Sequence, residues 1–401
     1  MEHIKNIKVI KILNSRSEET IKVKVFSENF SASFSLPQGK SKGKHEAVFL
    51  SADKAKEKIE NLILKKIKGE KVDFQKIDKI LINLDGTKQK KKLGANSILG
   101  ISVALAKLQA KIQRKPLFEF LSNFFEKKPN FSLHLLMNFV NGGVHSVGGP
   151  TFQEYLLILK SESLSKSVFL GSKIYKILGE KVNSNIGDEG GYVFGKGNSE
   201  KPLEILKGII KNENFQKNAF LGLDLAASQF FNGKNYFVDG KKFSKNDLKN
   251  YYLKLVLKYG LIYLEDPFEE NDFNSFSLLK KEVNNCVVVG DDLTVTNKER
   301  LKEAIKKQSI SGLIVKPNQI GSLSETIEVI NLAKKNNIKV IISHRSGETN
   351  DSFIADLAIA SNAWGIKTGA PARGERVAKY NRLIEMENLK KGFYPFKGRK
   401  I

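Results

Sequence analysis

The chain has 401 residues, 41% of them hydrophobic, and a single cysteine, Cys286. That is enough apolar material for two cores, one of them a barrel of about 250 residues, and it excludes an intrachain disulfide. The net charge of +24 is spread along the chain, tightest at Lys88-Gln-Lys-Lys-Lys92, so it reads as compositional bias rather than as a nucleic-acid interface.

Met1 to Leu13 interleaves lysine with isoleucine and lacks the apolar core of a secretory signal. No run approaches the roughly 18 apolar residues of a membrane span. A soluble, cytoplasmic protein is expected, with no specific nucleic-acid partner. Residues 4–37 alternate, as in Thr20-Ile-Lys-Val-Lys-Val-Phe26, and predict antiparallel strands with one wet face. Gln38-Gly-Lys-Ser-Lys-Gly43 is punctuated by glycine and reads as a mobile loop. From Glu46 to Lys68 the apolar spacing becomes helical, with Leu62, Leu64 and Ile67 on the buried side. Further helices are predicted over 73–82, 94–111 and 117–125. Glu126-Lys-Lys-Pro-Asn130 is a polar break. It divides an N-terminal α+β domain, 1–128, from a barrel domain, 131–401.

In the second half, six apolar runs each end in an ionisable residue. They close on Asp224, Glu265-Asp266, Asp291-Asp292, Lys316, His344-Arg345 and Lys367, at gaps of 41, 26, 25, 28 and 23 positions. This is the rhythm of strand and helix in an α/β barrel, whose active site lies at the C-terminal ends of its strands. Asp224, Glu265 and Asp291 end three successive strands. One acidic residue alone would be a solvated loop group; three at consecutive strand ends suit Mg²⁺, which takes hard oxygen ligands. Lys316 ends the fourth strand, where neighbouring cations can depress its pKa toward that of a general base. Arg345 and Ser346 offer planar donors and a hydroxyl suited to phosphate. Upstream, Asn185-Ile-Gly-Asp-Glu-Gly-Gly191 is a tight turn presenting Asp188 and Glu189. Gln153-Glu154 follows Asn141-Gly-Gly-Val-His145 by eight residues. The pattern points to metal-assisted proton abstraction beside a carboxylate. Cys286, inside an apolar run, reads as a structural thiol.

These residues resemble the enolase family (phosphopyruvate hydratase) over essentially the whole chain. The resemblance rests on Leu313-Ile-Val-Lys-Pro-Asn-Gln-Ile-Gly-Ser-Leu-Ser-Glu-Thr326, Ser343-His-Arg-Ser-Gly-Glu-Thr349 and Gly187-Asp-Glu-Gly-Gly191. Gly94-Ala-Asn-Ser-Ile-Leu-Gly-Ile-Ser102, Asp291-Asp-Leu-Thr-Val-Thr-Asn297 and Lys367-Thr-Gly-Ala-Pro-Ala-Arg373 add to it. It implies reversible dehydration of 2-phosphoglycerate in glycolysis, two Mg²⁺ sites and a homodimer. Lys316 would take the C2 proton, in the superfamily pattern of a lysine base beside Mg²⁺. Asp224, Glu265 and Asp291 would bind the first Mg²⁺, and Ser41 the second. Glu189, coupled to Glu154, would protonate the leaving hydroxyl. Lys367 would hold the substrate carboxylate, Arg345 and Ser346 the phosphate, with His145 closing over it and His344 and Gln153 lining the pocket.

The chain departs from the family pattern in places. Lys42 replaces a loop threonine. Asn14-Ser-Arg-Ser-Glu-Glu-Thr20 lacks the glycine and proline of its turn. Gln229 stands where the family has glutamate. Lys22 and Glu385 reverse the signs of a glutamate–arginine pair across the family's dimer interface, which would keep the attraction. Other readings are an enolase-like paralogue with impaired catalysis acting as a binding protein, a sister enzyme acting on another carboxylate, and a nucleic-acid binder. The segment Lys397-Gly-Arg-Lys400 raises host-protein binding at a cell surface. The complete set of metal and base residues favours the enzyme.

Overall fold

The computed structural model describes residues 2–39, 45–129, 131–146, 148–182, 184–195 and 198–390. Ser41, Lys42 and the segment Lys397–Lys400 lie outside the described residues, as does the side chain of His145. Strands β1 (Asn6–Leu13), β2 (Glu19–Phe26) and β3 (Ser31–Ser35) form an antiparallel meander, with Lys22 opposite both Ile10 and Ser35. Alternation turns Ile21, Val23 and Val25 inward, against the helix Ala95–Ile112. That helix is buried nearly all round, as its continuous apolar composition requires. Gly100 permits the close approach, because a Cβ there would collide with Val23 and crowd Leu36.

The helix predicted from Glu46 begins instead at Ala52, where the Ser51 hydroxyl accepts the amide of Lys54. A π-helical turn over Lys58–Ile63 then shifts the helical phase. Ile59, Ile63 and Ile67 therefore face the core. Leu64 is only half-buried and Leu62 is 43% exposed, which corrects the expected buried face. Helices Phe74–Asp85, Ala95–Ile112 and Leu117–Ser122 follow, the last shorter than expected.

The second part is a closed eight-stranded barrel. Its strands are β4 (His134–Asn141), β5 (Glu154–Leu159), β7 (Ala219–Asp224) and β10 (Leu261–Glu265), continued by β11 (Val287–Gly290), β12 (Gly312–Val315), β13 (Lys339–Ser343) and β14 (Gly365–Lys367). They pair in that order, and β14 closes on β4. The short β6 (Tyr192–Val193) extends β4, and β8 (Tyr236–Val238) pairs with β9 (Lys241–Phe243) in a hairpin beside it. The six strands read from the apolar runs are parallel to one another. The two preceding strands were not among those runs, and β5 runs antiparallel to both its neighbours. This reversal puts the first residue of β5, Glu154, beside Asp224 at the end of β7.

Within the parallel runs the side chains alternate. Val287, Val289, Ile314 and Ile341 join Leu136, Leu156, Ile158 and Tyr263 inside the barrel, while Val288, Leu313 and Ile342 pack outward under the helices. The interior is thus a packed core with chemistry confined to its mouths. The N-terminal part caps the C-terminal mouth. Lys107 pairs with Asp351 at 2.7 Å, Lys90 with Glu325 at 2.9 Å, and Asp78 accepts the backbone amide and hydroxyl of Ser324.

Candidate active site

The barrel strands deliver their last residues to one cavity. Its lining includes Gln153, Glu154, Glu189, Asp224, Asp291, Lys316, His344, Arg345, Ser346 and Lys367. Glu265 is fully buried against Lys367 at the cavity's floor. Gly39 and Glu46 close the cavity from the N-terminal part. Gly39 lies so near the Arg345 guanidinium that any Cβ there would collide with it.

Lys367 is the hub of one half. Its Nζ lies 2.7 Å from Asp224 Oδ2, 2.9 Å from Glu265 Oε1 and 3.2 Å from Glu154 Oε1. Burial opposes its charge, but Asp224, Glu154 and Glu265 outweigh this and hold its pKa well above the ordinary lysine value. Burial, with Asp224 beside it, pushes the Glu265 carboxyl up to about 8. Tyr263 donates its hydroxyl to Glu265. Gln229 donates to Gln153, which donates to Asp224 Oδ2 at 3.2 Å, so the amide at 229 orients the next amide in the relay. A glutamate at 229 could not make that donation.

Lys316 forms an ion pair with Asp291. Burial would lower the Lys316 pKa, but Asp291 reverses the sign and raises it. The expected depression is therefore not present in this arrangement; Lys316 holds its proton as long as Asp291 is its counter-charge. Burial opposes ionisation of Asp291 as well, and Lys316 overcomes that and lowers its pKa. Gln319 Nε2 also donates to Asp291, at 3.1 Å, and is itself oriented by the Thr296 hydroxyl.

Beside Lys367, oxygens of Glu154 and Glu189 and a nitrogen of His344 lie within 4.8 Å of one another. Burial, then the charge of Glu189, raise the Glu154 pKa well above its ordinary value. Burial and the nearby Glu189 charge both favour the protonated form of Glu154. Asn138 donates to Glu189 at 3.1 Å. Burial keeps His344 neutral, helped by the charges of Arg376 and Lys367. Its Nδ1 faces the Arg376 guanidinium at 2.6 Å and must accept, so Nε2 carries the hydrogen and faces Glu189 at 3.5 Å. Arg376 is fully buried and also donates to the carbonyls of Arg345 and Ser346. It fixes the whole segment after β13. Arg345 itself lies on Glu46, at 3.1 Å, and on the Asn318 side-chain oxygen, also at 3.1 Å.

Among the described residues seven carboxylates line this cavity, from Glu46, Glu154, Glu189, Asp224, Asp266, Asp291 and Asp292, against three cationic side chains. That excess of hard oxygen donors fits a divalent cation of the Mg²⁺ class. The Lys367 ammonium, seated between Asp224 and Glu265, is already the kind of counter-charge the site calls for. Oxygens of Asp266, Asp291 and Asp292 form a further group within 4.8 Å. Asp266 accepts the amides of Asp291, at 3.0 Å, and Asp292, at 2.7 Å, and so braces the turn after β11. Burial and Asp291 push Asp292 up to about 7. Glu46, Asn138, Gln319 and Arg376 were not singled out from the sequence. Asp266 and Asp292 were visible there as the second members of two acidic doublets.

Residues 133–401 match the family profile described as "Enolase, C-terminal TIM barrel domain", and residues 4–121 match "Enolase, N-terminal domain". The chain is 42% identical to a protein named enolase from Sulfurisphaera tokodaii over 400 residues, covering 96% of this chain and 95% of that one. It is 40% identical over 406 residues to an enolase from Methanocaldococcus jannaschii, with the same coverages. An enolase from Sulfolobus acidocaldarius is 39% identical, again at 96% and 95% coverage.

Proposed function

The chain belongs to the enolase family and is a glycolytic hydro-lyase that dehydrates 2-phosphoglycerate to phosphoenolpyruvate, and we propose that Lys316 and the Glu154–Glu189 pair divide its chemistry. The observation that carries this division is the convergence of a lysine and two buried, neighbouring carboxylates on one cavity.

The C2 hydrogen of the substrate is weakly acidic, because its removal puts a second negative charge on a carboxylate that already has one. Mg²⁺ held by Asp224, Glu265 and Asp291 would supply positive charge against that increase. Lys316, at the rigid end of β12, removes the proton. It can do so only when the charge of Asp291 is compensated by something other than its own ammonium. Lys367 receives the substrate carboxylate. Glu189, drawing on the proton of Glu154, protonates the departing 3-hydroxyl, and His344 keeps this pair oriented through its Nε2 hydrogen. Arg345 and Ser346 bind phosphate, with Gln153 lining the pocket; Ser41 would hold a second Mg²⁺, and His145 would close over the phosphate.

The same proposal places the enzyme in the cytoplasm, sets the domain boundary at 126–130 and makes the protein a homodimer through the reversed pair Lys22 and Glu385. Glu385 is accessible for this, its side chain 61% exposed and paired with Arg382 at 3.2 Å. Lys22→Glu should lower the sedimentation coefficient, and adding Glu385→Lys should restore it.

The direct test of function follows the ultraviolet absorbance of phosphoenolpyruvate with 2-phosphoglycerate, with Mg²⁺ and then with a chelator. Wild type should turn over only with Mg²⁺, and Lys316→Ala should lose about 1,000-fold or more. A folded, Mg²⁺-supplied wild type without turnover would favour the non-catalytic paralogue.

A further inference from the structure

The opposite mouth of the barrel holds a second cavity, of about 450 Å³. That volume is in the range of small-molecule sites, about 300–1,000 Å³. It lies at the other end of the strands from the active site. His134 opens β4, Lys160 follows the last residue of β5, Lys339 opens β13, and Trp364 immediately precedes β14. Lys334 and Lys335 come from the end of the helix Leu323–Lys335, and Lys127 from the segment linking the two parts of the chain.

Among the described residues five lysines thus face one cavity, and Glu126 is the one carboxylate in its lining. Among the described residues none of the five has an ion-pair partner, whereas lysines elsewhere on the surface commonly find one, as Lys258 does with Glu200 at 2.7 Å. A helix C-terminus accounts for Lys334 and Lys335, since cations there meet the negative end of the dipole. It does not account for Lys127, Lys160 and Lys339, which arrive from three other elements. Lys334 is partly buried, over the Phe125 ring at 5.7 Å. Burial, then Lys127, push its pKa down to about 8. The floor is aromatic. The His134 imidazole stacks on the Trp364 indole at 4.3 Å and 21°, and its Nδ1 donates to the Trp364 carbonyl at 2.9 Å. Cations gathered without a counter-charge over a preformed aromatic floor make a receptor for a compact, multiply charged anion.

We propose that this cavity is a second ligand site, which binds the triphosphate chain of a small anion at the face of the barrel remote from catalysis. Inorganic tripolyphosphate and a nucleoside triphosphate share that chemistry, and the aromatic floor would add affinity for the second.

Trp364 is the only tryptophan of the chain and lines this cavity, so its fluorescence reports on it. The full-length protein is titrated with tripolyphosphate and, separately, with ATP, in the presence of a chelator, and the heat of binding is measured in parallel. A saturable signal with one ligand per chain is expected. The double variant Lys334→Gln with Lys339→Gln should bind at least about tenfold more weakly, on the scale of one lost charge-assisted hydrogen bond. Lys334→Arg should keep most of the affinity, and Lys316→Ala should leave it unchanged. Tighter binding of ATP would assign a nucleotide, and equal binding would assign the phosphate chain alone. The absence of both saturable fluorescence and heat, or equal affinity in a double variant with unchanged thermal unfolding, would overturn the proposal.

Discussion

The two mouths of the barrel carry opposite charge and handle it differently. Among the described residues, seven carboxylates surround three cations at the C-terminal mouth, and the charges are buried and bound to one another, as Lys367 is to Asp224, Glu265 and Glu154. At the N-terminal mouth the described lining has five lysines to one glutamate, four of the lysines exposed and Lys334 partly buried. Burial makes the difference. A charge withdrawn from water needs an opposite charge in contact, whereas an exposed one is satisfied by solvent and feels its neighbours weakly. The upper mouth is therefore an interlocked network in which each group sets the protonation of the next. The lower one is a set of cations without counter-charges, of which Lys334 alone is partly buried and feels a neighbour, Lys127.

The largest expected effect comes from breaking the upper network. Lys367→Ala leaves three buried carboxylates without their cation and should cost about 3–5 kcal/mol in urea unfolding of the chelated protein. Mg²⁺ should recover part of the loss, by mass action on the folded state. At the lower mouth, Lys339→Ala should change stability by less than about 0.5 kcal/mol. Comparable losses from the two variants would erase the distinction.

A second way to strain the upper mouth is Arg376→Lys. A lysine keeps the charge but cannot reach His344 and the carbonyls of Arg345 and Ser346 together. A displacement of about 1 Å can cost about 100-fold in rate, so kcat should fall by that order. Global unfolding should shift less than for Lys367→Ala.

Asp78 sharpens the comparison from a third place, because it is buried with hydroxyls rather than cations. Ser102 donates to it at 2.8 Å and Ser324 at 2.7 Å. Burial pushes its pKa up to about 7 from an ordinary 3.8. The folded state therefore holds this proton more tightly than the unfolded state. The associated stability is present below the ordinary value and is lost as pH rises toward about 7. Between about pH 5.5 and pH 8.5 this group should cost the wild type about 2 kcal/mol, and Asp78→Asn should remove that dependence from the urea midpoint.

The smallest effect is expected at Ser17, in the turn whose Arg16 pairs with Asp188 beside the active site. Ser17 has a φ of 60°, the left-handed conformation that glycine adopts without penalty. Ser17→Gly should stabilise the protein by about 0.5 kcal/mol, read as a small rise in the urea midpoint. A loss of stability would mean the serine side chain matters more than the backbone.

What could be read from the sequence follows the same division. Each parallel strand is an apolar run with an ionisable residue at its end, so the candidate site residues Asp224, Glu265, Asp291, Lys316, His344 and Lys367 were visible by position. The direction of β5 was not, because an apolar run reads the same both ways and only pairing with β4 and β7 fixes it. Leu62 was misplaced because a π-helical turn changes the phase that periodicity assumes. Arg376 was missed because its meaning lies in contacts with residues some 30 positions upstream. The lower cavity was hidden for a related reason. Its lysines come from separate elements and are lost among 67 lysines and arginines until the fold gathers them.

The division of labour between Lys316 and the carboxylate pair is tested most directly by exchange of the substrate's C2 hydrogen in heavy water with Mg²⁺ present. Glu189→Gln should still exchange it while forming little phosphoenolpyruvate, because the base is intact and the acid is not. Lys316→Ala should do neither. Exchange by Lys316→Ala at a rate near that of wild type would contradict the account.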